Sequence, residues 1–151
     1  MKIKKVLTAL LAAMLLLGTL ASCAGESTAI TVQLAIYATN AEGEEDVIYD
    51  GPVEVDVESP TVLSAVLEAA AQNGFDVTLK SNDMSVASFK EYGDKTDENG
   101  IAYYWDYTKN GAIPDAETGG KAGADAIVDG DVIVYEYLTM DLSAGDDTAA
   151  E

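Results

Sequence analysis

Between Ile30 and Asn73 the apolar residues change their period once, and that change restricts the possible folds more than any other feature of the chain. Ile30, Val32, Leu34 and Ile36 occupy alternate positions, the pattern of a strand with one buried face. Val53, Val55 and Val57 alternate with Glu54, Asp56 and Glu58, which predicts a second strand with one wet face. The polar stretch at 42–46 between them predicts an antiparallel hairpin. Pro60 then bars further strand, and Thr61 or Ser59 can cap a helix. Val62, Leu63, Val66, Leu67 and Ala70 follow at helical spacing, and Asn73-Gly74 supplies a left-handed stop. The spacing predicts a helix over 61–73, buried along that stripe.

Alternation resumes at Phe75, Val77 and Leu79, and Met84, Val86 and Phe89 form a weaker patch that predicts a short strand. Residues 91–100 read as an exposed loop. A tyrosine-rich strand is expected over 101–108, ending at the hairpin-type turn Asn110-Gly111. Residues 112–124 hold Pro114, Gly119, Gly120 and Gly123 and read as a loop. A short strand at 126–128, a turn at Asp129-Gly130-Asp131 and a final strand at 132–138 complete the domain. One striped helix and several half-wet strands predict an α+β class, the helix packed on a mixed β-sheet. The acidic tail, 139–151, has no apolar run and is expected to be disordered.

The amino-terminal segment has a different purpose. Lys2, Lys4 and Lys5 precede an almost wholly apolar run at 6–20. That run spans about 22 Å as a helix, short of a ~30 Å hydrocarbon core, which is the length of an export signal. Leu20-Ala21-Ser22-Cys23 is similar to the lipobox of bacterial lipoproteins, in which the cysteine is lipidated and becomes the first residue. Residues 1–22 are thus expected to be a lipoprotein signal peptide, with Cys23 the lipid anchor and residues 23–29 a short tether. The expected location is extracytoplasmic, on the surface of a bacterial membrane. Two or three acyl chains hold firmly where one would exchange. Cys23 is the only cysteine, so lipidation leaves neither a disulfide nor a reactive thiol.

Composition excludes several functions. The 151 residues carry 27 acids against 8 cations, all lysine, and no histidine. Export would remove three lysines and no acid, leaving a charge of −22. Such a chain repels phosphate backbones and lacks the arginine fork, so nucleic acid is not a partner. Self-repulsion on this scale also predicts lower stability at low ionic strength. Without histidine, mechanisms built on Ser-His, Cys-His or His-metal units have no base or ligand. Gly120-Lys121 lacks the rest of a phosphate-binding loop, with Asp115 and Ala122 at the positions that need glycine and a hydroxyl. The run from Lys95 to Gly100 matches a calcium loop at three positions. Its first ligand position is Lys95 and its twelfth Asp106, so it reads as a solvated loop. No nucleophile–base pair or metal shell can be assembled, and the chain is expected not to be an enzyme.

The aromatic cluster is the more informative feature. Tyr103, Trp105 and Tyr107 share one face of the 101–108 strand, Tyr104 and Asp106 the other, and Tyr135 and Tyr137 lie in the last strand. One reading is cross-strand packing that closes the sheet. The other leaves some rings exposed to stack on a flat ligand or a sugar.

Tyr104-Trp105-x-Tyr107-x-x-Asn110-Gly111, then Gly123-Ala124-Asp125 and Asp129-Gly130-Asp131-Val132-x-x-x-Tyr135-x-Tyr137, form an ordered set. With Thr61-Val62-Leu63-x-Ala65 opening the helix, the set resembles the carboxy-terminal domain of transcobalamin and intrinsic factor. It is most similar to the bacterial branch, a domain of unknown function found on Gram-positive surface lipoproteins. The resemblance covers about 30–138 and implies a small β-grasp-like domain. It also implies a corrinoid such as cobalamin as ligand, no built-in cofactor, and a separate helical-domain protein as partner. The chain has no imidazole for cobalt, and its loop at 112–122 is longer than the family's usual link. The expected ligand-binding residues are Tyr104, Trp105 (a ring face), Asn110 (a polar contact) and Ile113 (an apolar wall). The alternative function is a cell-surface adhesion or assembly module that binds a protein or a cell-wall glycan.

Overall fold

The computed structural model describes residues 29–40, 43–82, 84–114 and 120–143. The expected signal peptide, Cys23, the tether up to residue 28 and residues 144–151 lie outside the described residues. In chain order the elements are β1 (Ile30–Thr39), β2 (Glu45–Val55), the helix α1 (Val62–Asn73), β3 (Val77–Leu79), β4 (Val86–Phe89), β5 (Tyr92–Gly93), β6 (Lys95–Thr96), β7 (Ile101–Lys109) and β8 (Val132–Asp141). Among the described residues no helix is long and apolar enough to cross a membrane.

The strands form two sheets, one of five strands in the order β2-β1-β8-β7-β6 and one of three in the order β3-β4-β5. β1 and β2 are the expected antiparallel hairpin, paired from Ile30↔Val55 to Thr39↔Glu45 with a register shift at Ile36/Tyr37. β1 runs parallel to β8, and β7 antiparallel to β8, so the large sheet is mixed. The domain is therefore α+β. Alternation decides the inner face: Val32, Leu34, Ile36, Val53, Val55, Ile133 and Tyr135 are all buried.

α1 lies against β2 and β1. Its start is a capping box: Thr61 Oγ1 accepts from Ser64 N–H at 3.2 Å, and Ser64 Oγ accepts from Thr61 N–H at 2.8 Å. Gly74, at φ 69°, ends it in the left-handed conformation that a Cβ would strain. The buried stripe is Val62, Leu63, Ala65, Val66, Ala69 and Ala70. Leu67, expected in that stripe, is 44 % exposed, because the helix rests on its alanine rows.

Three further expectations are corrected. The 91–100 stretch, read as a loop, contains β5 and β6, which edge the small and the large sheet respectively. Residues 126–128 contribute only one bridge, Thr61↔Ala126. The last strand continues to Asp141, past the expected domain end at Leu138, because β7 still pairs there through Ile101↔Asp141.

Candidate functional site

β7 positions most of the residues of interest, and its two faces meet different neighbours. Asn110 N–H donates to Val132 O at 2.7 Å, and Leu142 N–H to Gly100 O at 3.0 Å. Even-numbered residues of β7 thus bond β8, and the backbone of odd-numbered ones points to the outer edge. At that edge Tyr103 pairs with Lys95 of β6, and Lys109 bridges to Ala112. The side chains of the odd residues turn inward, beneath the small sheet.

Trp105 is one of them and is only 5 % exposed. Phe89 of β4 meets its ring edge-on at a centroid distance of 4.7 Å, and Tyr137 lies at 4.9 Å on the other side. Its Nε1–H donates to Tyr92 O at 2.7 Å. The free ring face expected of Trp105 is therefore covered. The small sheet, unforeseen in part, closes over it.

Asn110 is also engaged structurally. With Gly111 (φ 75°) it forms the centre of a two-residue hairpin turn, itself at φ 54°, the positive values that a primed turn requires. Its Nδ2 donates to Asp131 Oδ1 at 2.8 Å and its Oδ1 accepts from Val132 N–H at 2.9 Å. The side chain expected to contact a ligand instead ties the end of β7 to the start of β8. Asp131 completes the arrangement by accepting from Val128 N–H at 2.9 Å.

Tyr104 is half-buried on the opposite face, as alternation predicts, and helps line a cleft of about 310 Å³ at the seam of the two sheets. The cleft is bounded by Lys80 and Ser85 of the β3–β4 connection, by Asp106 and Tyr107, by Gly120 and Ala122, and by Tyr135. Its walls are pinned by backbone bonds. The first free N–H groups of α1, those of Val62 and Leu63, donate to Asp125 O at 2.9 Å and Ala122 O at 3.0 Å. Gly123 N–H donates to Met84 O at 2.8 Å, and a Cβ on Gly123 would meet Met84 Cα at 3.2 Å. Ile113, 78 % exposed, is not in this cleft. It lines a smaller cavity of about 180 Å³ with Asp106, Thr108, Glu136 and Leu138. The structure thus brings Tyr104 and Trp105 to one site and leaves Asn110 and Ile113 at others.

The polar groups behind the cleft were not anticipated. Asp125 is 6 % exposed and accepts from Tyr107 Oη at 3.0 Å, while Lys109 Nζ closes an ion pair with its other oxygen and donates to Ala126 O at 2.8 Å. Tyr135 is 2 % exposed, stacks on Tyr107 at 5.1 Å, and its hydroxyl has no hydrogen-bond partner. Burial, and then the neighbouring Tyr107, Asp106 and Asp125, push that phenol well above the usual tyrosine range. Lys80 is paired with Asp94 at 2.9 Å. An unpartnered hydroxyl leaves no mark in a one-dimensional pattern.

A second cleft of about 320 Å³ lies at the far end of the sheet, where Lys95 Nζ sits 4.8 Å from the Tyr103 ring centre. Beside it Asp97 Oδ1 accepts from Asn99 and Ile101 N–H, both at 2.9 Å, so this carboxylate organises the turn into β7. Among the described residues no group of three or more His, Cys, Asp or Glu side chains is placed to hold a metal ion.

No protein-family profile and no curated protein matches the chain. Among solved structures, the chain is similar to a Ruminococcus gnavus protein described provisionally as metal-binding. The identity is 18 %, 72 % of this chain and 97 % of that one are covered, and the TM-score is 0.43.

Proposed function

We propose that this chain is an extracytoplasmic ligand-binding module, tethered to a bacterial membrane through lipidated Cys23, with the seam cleft as its binding site. The order of the large sheet supports a β-grasp-like description, since the parallel strands β1 and β8 lie side by side with their antiparallel partners β2 and β7 flanking them. The observation that carries the reading is the Tyr135 hydroxyl, buried and without a partner, on a residue that lines the cleft. A buried hydroxyl left unpaired costs about 1–3 kcal/mol, and a polar ligand atom would recover part of that. Lys80 and Ser85, one cationic and one hydroxyl-bearing, line the same cleft.

At about 310 Å³ the cleft is at the lower limit of small-ligand sites. A corrinoid would enter it by one peripheral amide arm and lie across the surface, and a separate helical-domain protein would cover the remainder. The role is binding without catalysis. Calorimetry of the mature protein with cobalamin and with cobinamide is the test. Binding that weakens at least fivefold in Tyr135→Phe supports the reading; absence of heat at high micromolar concentration removes the corrinoid. If Tyr135→Phe leaves a measured affinity unchanged, the cleft is not the site.

A second reading, an adhesion or assembly module for a protein or cell-wall glycan, is favoured by exposed apolar side chains at Ile113, Val132 and Met140. Retention on wall polysaccharide or on surface proteins, without a corrinoid signal, would select it.

A further inference from the structure

Among the described residues the large sheet is covered on one face only. α1 and the small sheet both pack on the face of Val32, Ile36, Trp105 and Tyr135, and among the described residues no element covers the other. Strand register assembles that outer face from Ala35↔Val134, Tyr37↔Glu136, Asp106↔Glu136 and Tyr104↔Leu138. Val132 and Met140, 44 % and 50 % exposed, extend it along β8, and Ile113 stands at its border. Charge on this face has one sign. Asp50, Glu54, Asp106 and Glu136 occupy outer-face positions and no lysine does. The ion pairs among the described residues, Lys80–Asp94 and Lys109–Asp125, lie elsewhere. Asp106 and Glu136 sit directly opposite each other, an arrangement of like charges that disfavours the sheet unless a cation approaches.

We propose that this outer face docks a cationic amphipathic helix of another protein, apolar residues on Tyr104, Val134 and Leu138 and lysine or arginine beside Asp106 and Glu136. Charge complementarity selects the occupant. The chain's own residues 144–151 carry Asp146, Asp147 and Glu151 and no cation, and a second copy would bring the same carboxylates. Width agrees as well: β1, β8 and β7 span about 10 Å between their outer axes, the diameter of a helix. The docked helix would supply the missing layer of an α+β sandwich. This inference stands apart from the seam cleft.

The test uses the mature protein and two synthetic amphipathic peptides of about 18 residues, one of Leu and Lys, one of Leu and Glu. Binding is read by fluorescence anisotropy and by amide chemical shifts. The Leu/Lys peptide is expected to bind and the Leu/Glu peptide not, with shifts on β7 and β8. Glu136→Gln and Leu138→Ser should each weaken binding by about fivefold or more. Glu58→Gln, the same charge change outside the sheet, and Tyr135→Phe in the cleft should leave it within about twofold. No binding at about 1 mM overturns the proposal, as does an equal loss in Glu58→Gln, which would mean general attraction to an acidic surface.

Discussion

Trp105 and Tyr92 are joined by a 2.7 Å hydrogen bond from the indole nitrogen to a backbone carbonyl, which fastens the small sheet onto the large one. The bond turns the most conspicuous aromatic residue of the chain into a structural one. Trp105→Ala removes a ring packed against Phe89 and Tyr137 together with its bond to the Tyr92 carbonyl. A loss of about 3–5 kcal/mol is expected in urea unfolding. A loss under about 1 kcal/mol would show that the two sheets are not coupled through this ring.

Tyr135 should behave in the opposite way. Tyr135→Phe keeps the stacking on Tyr107 and Phe89 and deletes a hydroxyl without a partner. Stability should hold or rise by up to about 1 kcal/mol. Because burial raises the folded-state value above 10, the neutral phenol favours the fold at all pH values below the unfolded value. That contribution is lost as pH rises from the unfolded value through the folded one. The variant should therefore unfold less steeply than the parent in an alkaline titration above about pH 10. Parallel curves would contradict the assignment.

The Lys109–Asp125 pair is the most exposed to single substitution. Lys109→Met leaves a carboxylate that is 6 % exposed with only the Tyr107 hydroxyl beside it. A cost of about 3 kcal/mol is expected from thermal or urea unfolding, since the uncompensated buried charge dominates. The double variant Lys109→Met/Asp125→Leu should recover most of it.

Asp97 provides an acid-side test. Hydrogen bonds from the Ile101 and Asn99 amides, the Ile101 bond first, hold its carboxyl below the ordinary aspartate value. Its contribution to the turn is present above the unfolded value and is lost as pH falls through the lowered folded value. The Asn99 and Ile101 amide resonances should move together with a midpoint below 3.8. A midpoint at or above that value would detach the carboxylate from the turn.

The local elements were legible where a single period persisted. Alternation at Ile30–Ile36 and helical spacing after Pro60 survive in the fold because a half-buried strand and a striped helix each impose their own repeat. β5 and β6, two residues each, were not, since strands so short carry no period. Of the expected site, Tyr104 lies in a cleft, whereas Asn110 was read as a contact and is a tie between strands.

Residue order alone assigned Tyr103, Trp105 and Tyr107 to one face and Tyr104 and Asp106 to the other, and it placed the turns at Asn73-Gly74, Asn110-Gly111 and Asp129-Gly130-Asp131. Which of those faces would be roofed was decided by tertiary structure. The covering sheet reaches Trp105 through Phe89 and Tyr92, residues 16 and 13 positions away in the chain, and no local pattern encodes a contact across that separation. The same packing isolates the Tyr135 hydroxyl and, among the described residues, leaves the acidic outer face without a covering layer, because one roof cannot cover both sides of a sheet.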